Sequence, residues 1–291
     1  MKSPRNNLKE PRIGCSLRTS SFTKLSKPLA TQPPFKTSST LNNFGKKMEF
    51  HSGKYQLLRI TNKTEPIKST YFIHEIPNSE TDSAKYLGVV IDTKLKWTKQ
   101  YTNLIKKCNC TLAFLKRNLS NSPSFVKKQC YTSLIRPKLE YACAVWDPHC
   151  STHIESLEKV QKRAARFVTG NYKMESGAHR FNLDLLGWPK LEERRLQTRL
   201  TLFQKARLNL IDIPTDHLAI KSRQTRQGGG GLTYHREFSK IDSYIFSFFP
   251  RTSQVWNNLP PDLKSCTNIE NFIKAVSTID REEILSGITH P

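Results

Sequence analysis

The side chains in this sequence that could do chemistry are mostly cations. Lys159, Lys162, Arg163 and Arg166 recur at three- and four-residue spacing, which puts them on one face of a helix. Lys99, Lys106 and Arg117 form a similar set upstream, opposite an apolar stripe. Such rows can hold a phosphate backbone by charge and hydrogen bonds, with little dependence on base sequence. The plainer alternative is a solvated face, because Glu155 with Lys159 and Glu158 with Lys162 stand in the favourable i,i+4 order. Arg195 and Arg199 differ. They project into an apolar arc, so they either pair with acids or face a phosphate, and both count as candidate nucleic-acid contacts.

Other chemistry finds less support. Two-metal phosphoryl transfer needs carboxylates converging on a pair of cations, and the sequence contains no Asp-Asp pair. Asp92, Asp147 and Asp184 are isolated beside Gly, Pro or turn signals and read as turn or cap residues. Cys143, His149, Cys150 and His153 are irregularly spaced and include no CxxC, so buried cysteines and turn histidines account for them better than zinc; no metal site is expected. Gly228 to Gly231 lacks the Lys-Ser/Thr of a phosphate loop and reads as a linker.

These residues need elements to position them. Residues 1–46 are rich in Ser, Thr, Pro, Lys and Asn, with Glu10 the one acid, and read as a disordered basic tail. A mitochondrial transit peptide has the same composition, although no amphipathic helix is evident. Residues 47–97 read as a small β-meander, with strands at Tyr55–Ile60 and Tyr71–Ile73 and a buried strand at Tyr86–Asp92, followed by a turn to Lys96. Residues 98–172 read as helical. Trp97, Tyr101, Leu104, Ile105, Cys108, Leu112, Leu115 and Leu119 share one stripe. Ser122-Pro123 starts a second helix, which stops or bends near Pro137. Thr152-x-x-Glu155 is a capping box for a third, and Gly170 is its C-cap. Between them, Tyr141, Val145 and Trp146 form an apolar plug; Trp146 reads as a core anchor rather than a base-stacking platform. Residues 173–291 read as helical and irregular. A helix follows Trp188-Pro189 to about Leu210, and Thr267-x-x-Glu270 caps a final one. The fold class is α+β, mostly α: a β remnant followed by a helical bundle.

The formal net charge of +23 and pI near 9.8 point to a polyanionic partner. No run of about 18 apolar residues is present, so no membrane span is expected. No signal peptide is visible. Seven cysteines without CxxC pairing suit a reducing compartment, hence an intracellular place in cytoplasm or nucleus.

Many separate stretches, in order, resemble reverse transcriptases of jockey-type non-LTR retrotransposons. They include Lys85-Tyr86-Leu87-Gly88-Val89, Leu95-Lys96-Trp97, Phe114-Leu115-Lys116-Arg117-Asn118-Leu119 and Tyr131-x-x-Leu134-Ile135-Arg136-Pro137. They continue through Val145-Trp146-Asp147-Pro148, Leu157-Glu158-x-Val160-Gln161-x-Arg163-Ala164-Ala165-Arg166-Phe167, Leu191-Glu192-x-Arg194-Arg195, Phe248-Phe249-Pro250-Arg251-Thr252 and Trp256-Asn257-x-Leu259-Pro260. The resemblance covers roughly residues 47 to 275 and implies the end of a palm, a thumb and the region after it. It implies RNA or an RNA–DNA duplex as partner. The apolar surface under Tyr86 to Ile91, uncovered without a palm, makes a protein-interaction module the alternative, by self-association or docking onto a full-length polymerase. A piece of an active polymerase whose palm lies upstream is a further one. The resemblance does not imply a polymerase. Family members use magnesium held by palm carboxylates, including two adjacent aspartates on a tight turn, for which this sequence has no counterpart, so no cofactor is expected. Phe50-His51-Ser52-Gly53-Lys54-Tyr55 stands where the family pattern resembles Phe-Asn-x-x-Lys-Cys. Lys54 matches the lysine thought to assist the leaving pyrophosphate, while His51 and Tyr55 depart from the pattern, so Lys54 is expected to be vestigial.

Overall fold

A computed structural model describes residues 56–66, 69–73, 76–173, 178–215, 233–235, 239–279 and 284. The expected tail at 1–46, Lys54 and the linker at 228–231 lie outside the described residues.

The architecture is mostly helical with two small antiparallel hairpins. Strand β1 (Phe72–Ile73) pairs with β2 (Ile76–Pro77), and β3 (Ser83–Tyr86) pairs with β4 (Val89–Asp92). The strand expected at Tyr55–Ile60 reduces, within the described residues, to a bridge between Leu57 and Glu80. The run Tyr86–Asp92 is not one buried strand. Leu87 (φ 44°) and Gly88 (φ 85°) form a two-residue turn inside it, and such turns need positive φ at both central positions. Tyr86 and Leu87 are therefore exposed, and of this run Val89 is the residue buried in the core. The exit turn forms as expected: Asp92 Oδ1 accepts the backbone N–H groups of Lys94 (3.0 Å) and Lys96 (3.1 Å).

Helix α1 (Thr98–Asn118) lays Tyr101, Leu104, Cys108, Leu112 and Leu115 into the core at the expected period. Helices α2 (Ser124–Leu134), α3 (Arg136–Glu140) and α4 (Cys143–Trp146) follow, then α5 (Ser151–Thr169). Helix α5 buries Leu157, Val160, Ala164, Phe167 and Val168. Trp146 is fully buried; its indole N–H donates to Tyr141 O, and Tyr101 Oη donates to Trp146 O. Tyr141 and Val145, expected beside it, are instead more than half exposed (56% and 55%). The short α4 turns only its Cys143 and Trp146 inward.

Helix α6 (Ala178–Leu186) was not legible as a helix in the sequence. Helix α7 (Leu191–Arg207) fills the span expected after Trp188-Pro189. Its Leu191 joins the first core cluster, while Leu196, Leu200 and Phe203 join a second one with Trp256, Leu259, Phe272 and Val276. The second cluster is completed by α9 (Phe248–Asn257), α10 (Pro261–Ser265) and α11 (Ile269–Thr278), with the short α8 (Asp242–Ile245) preceding α9.

Two expected caps differ. Helix α5 begins before Thr152, with Cys150 at the N-cap, so Thr152 lies in the first turn and its hydroxyl meets Cys150 Sγ. On α11 the N-cap is Asn268, whose Oδ1 accepts from the N–H groups of Glu270 and Asn271. The expected C-cap holds: Gly170 adopts φ 71° and its N–H reaches Arg166 O.

Candidate nucleic-acid interface

Helices α1 and α5 lie side by side in the same sense. Tyr101 meets His153 ring to ring, Asn109 Oδ1 accepts from Arg163 Nη1 at 3.2 Å, and Lys116 lies in the field of Arg166 and Arg163. The apolar stripes face inward, so the polar faces line a common surface. Lys99, Lys106, Arg117, Lys159 and Arg163 are exposed; Lys162 and Arg166 are half-buried. Lys99 Nζ touches Ser83 Oγ at 3.1 Å, which places that end of the row beside the β3–β4 hairpin.

The surface pairs Glu155–Lys159 and Glu158–Lys162 do not form among the described residues. Glu158 turns inward. Its Oε1 accepts the N–H of Glu192 at the start of α7, where the amides of a helix end favour an anion. Burial raises its pKa, opposed by that hydrogen bond and by Arg195. Lys159 and Lys162 are therefore not neutralised by Glu155 and Glu158 among the described residues.

Lys116 belongs to the same surface. Its pKa is lowered, by burial first and then by Arg166 and Arg163. Three cations thus converge where α1 meets α5, an arrangement that favours a polyanion over water. Sequence reasoning missed Lys116 because it borders the buried Leu112–Leu115 edge and does not sit opposite it. Its place beside Arg117 in a row of basic residues was the available signal.

Arg195 and Arg199 do not belong to this surface. They are 1% and 4% exposed at the side chain and converge on Asp147, so they are corrected from phosphate contacts to buried partners of an acid. Arg195 Nε lies 2.8 Å from Asp147 Oδ1, Arg199 Nε lies 3.1 Å from Oδ2, and Arg251 Nη1 lies 3.0 Å from Oδ2. Asp147 is accordingly the centre of an ion cluster, not a turn residue. Arg251 also donates to the carbonyls of Asp147 and Pro148.

The three isolated aspartates are each engaged separately. Asp92 caps its turn, Asp147 is held by three arginines, and Asp184 makes an exposed i,i+4 pair with Arg180. The four candidate zinc residues face different neighbours: Cys143 is buried, Cys150 meets Thr152, His149 stacks on Phe246, and His153 packs on Tyr101. No group of three potential metal ligands occurs among the described residues. No described helix is long and apolar enough to cross a membrane.

Comparison with known proteins gives one line of kinship. No family model matches the chain, and no solved structure matches it. A stretch of 102 residues is 29% identical to a probable RNA-directed DNA polymerase from transposon X-element of Drosophila melanogaster. The match takes in 34% of this chain and 11% of that protein, so the chain spans a small part of the relative's length. That similarity agrees with the ordered motifs of the sequence and supports reading the chain as a fragment related to the non-LTR retrotransposon reverse transcriptases.

Proposed function

We propose that this chain binds RNA or an RNA–DNA duplex through backbone phosphates, on the face shared by α1 and α5, and does not itself polymerise. The observation that carries the reading is the convergence of Lys116, Arg163 and Arg166 between the two helices, flanked by Lys159 and Lys162, which pair with no acid among the described residues. Like charges held together in this way are relieved by counter-anions, and a phosphate backbone supplies them in a row. Kinship to a reverse transcriptase supports nucleic acid as the source of those phosphates. The inactive half of the reading rests on the separate engagements of Asp92, Asp147 and Asp184. Gel-shift titration of the purified chain against an RNA–DNA duplex at two salt concentrations tests the first half. Binding that weakens steeply with salt is expected; salt-insensitive binding, or none at low salt, refutes it. Magnesium-dependent incorporation on a homopolymer template would refute the second half.

A second reading is favoured by one surface. Tyr86 (58% exposed), Leu87 (72%) and Tyr141 (56%) adjoin one another, with Tyr141 Oη donating to Leu87 O at 2.7 Å. An exposed apolar patch of this kind marks a protein contact, either between copies or onto a full-length polymerase. Size-exclusion chromatography separates the readings: a monomer at every loading concentration rules out self-association.

A further inference from the structure

We propose that the buried cluster of Arg195, Arg199 and Arg251 is a binding site for a small inorganic oxyanion of the phosphate class, separate from the α1/α5 face. Three guanidinium groups meet one carboxylate there, Asp147. Glu158 also lies in the field of Arg195, and its Oε1 is already used by the Glu192 amide. Even with both acids ionised, the cluster keeps an excess of positive charge. Guanidinium groups do not discharge near neutral pH. Burial drives the Arg199 pKa down to about 10, reinforced by Arg251 and opposed by Asp147, which still leaves it a cation.

The hydrogen bonds show the same imbalance. Arg195 and Arg199 approach Asp147 through Nε, which leaves their outer nitrogens pointing elsewhere. Arg195 Nη1 and Nη2 and Arg199 Nη1 are sheltered from solvent and have no hydrogen-bond partner among the described residues. Water could accept from these groups but would leave the charge uncompensated. An oxyanion would do both, because its oxygens match the planar fork of a guanidinium. A nucleic-acid backbone cannot reach side chains that are 1% and 4% exposed. Arg251, at 18%, is the least buried of the three arginines. The cluster joins the residue after α4 to α7 and α9, so a bound anion would tie together elements of both core clusters.

The test is thermal unfolding of the full chain in phosphate, with sodium chloride making up a constant ionic strength. Phosphate should raise the midpoint with the logarithm of its concentration above Kd, by roughly 5 °C at a hundredfold excess over Kd. Arg199→Met should abolish the rise, whereas Lys159→Gln with Lys162→Gln should keep it, since those lysines belong to the nucleic-acid face. Asp147→Asn, which removes the competing carboxylate, should enlarge it. The proposal is overturned if phosphate gives no rise beyond chloride, or if Arg199→Met responds like the parent. If Arg199→Met does not fold, calorimetric titration of the parent with phosphate decides: one saturable site supports the assignment, and none or many equal sites overturn it. Neither result bears on duplex binding, which is read separately by its salt dependence.

Discussion

Glu158 shows how a side chain is placed by what it can reach. It stands four residues before Lys162, in good order for a surface pair, yet it turns to the first amides of α7. Burial raises its pKa above the usual 4.5. The folded state therefore holds the proton more tightly than the unfolded state, and the site's contribution to stability is greatest below pH 4.5 and falls as pH rises through that window. Glu158→Gln keeps an acceptor for the Glu192 amide without the charge, so it should flatten this slope; equal urea-midpoint slopes in parent and variant between pH 4 and 7 would contradict the assignment. Tyr131 is buried, and its hydroxyl donates to Gln161 Oε1 at 2.6 Å, while Gln161 Nε2 donates to Pro189 O. Tyr131→Phe orphans the Gln161 oxygen and should cost about 1–3 kcal/mol in chemical unfolding. The inward direction of Arg195 and Arg199 was legible from their place in an apolar arc. Their partner was not, because Asp147 lies 48 residues before Arg195 and no local pattern links them.

At the scale of elements, helical period was the readable signal. Helices α1, α5 and α7 lie where their apolar spacing put them, because each buries one stripe in a core. What failed was local punctuation inside apolar runs. Gly88 sits in an apolar stretch that looks like a buried strand, and only its positive φ shows it to be a turn. Helix α6 escaped because its exposed Phe181 and Leu185 blur the amphipathic pattern. On the α1/α5 face proposed for binding, the α5 cations were legible from spacing alone, whereas Lys116 required the packing of α1 on α5. Gly170 is a sharper test of local rules. It holds φ 71° with open space around the Cβ position, so a substitution there meets conformational strain without a clash. Gly170→Ala should lower stability by about 1 kcal/mol, and Gly170→Asn by less, since Asn tolerates this conformation better. Thermal midpoints of the two variants check the order.

For the whole molecule, the proposed nucleic-acid binding could come from the +23 net charge everywhere or from one face. A diffuse field attracts polyanions without a defined contact, whereas a site releases a fixed number of counterions. The slope of log K against log salt counts them, at about 0.9 per phosphate on B-form duplex. Two variants with equal charge loss separate the cases. One replaces Lys159, Lys162 and Arg166 by Gln on α5. The other replaces Lys205, Lys240 and Lys274, none of which lies on α1 or α5. Both lower the net charge by the same amount, so a diffuse field predicts equal losses in affinity and slope. A site on α1 and α5 predicts that the first variant loses roughly two to three units of slope while the second keeps most of it. Equal losses would leave the chain a general polyanion binder and remove the case for α5 as its contact surface.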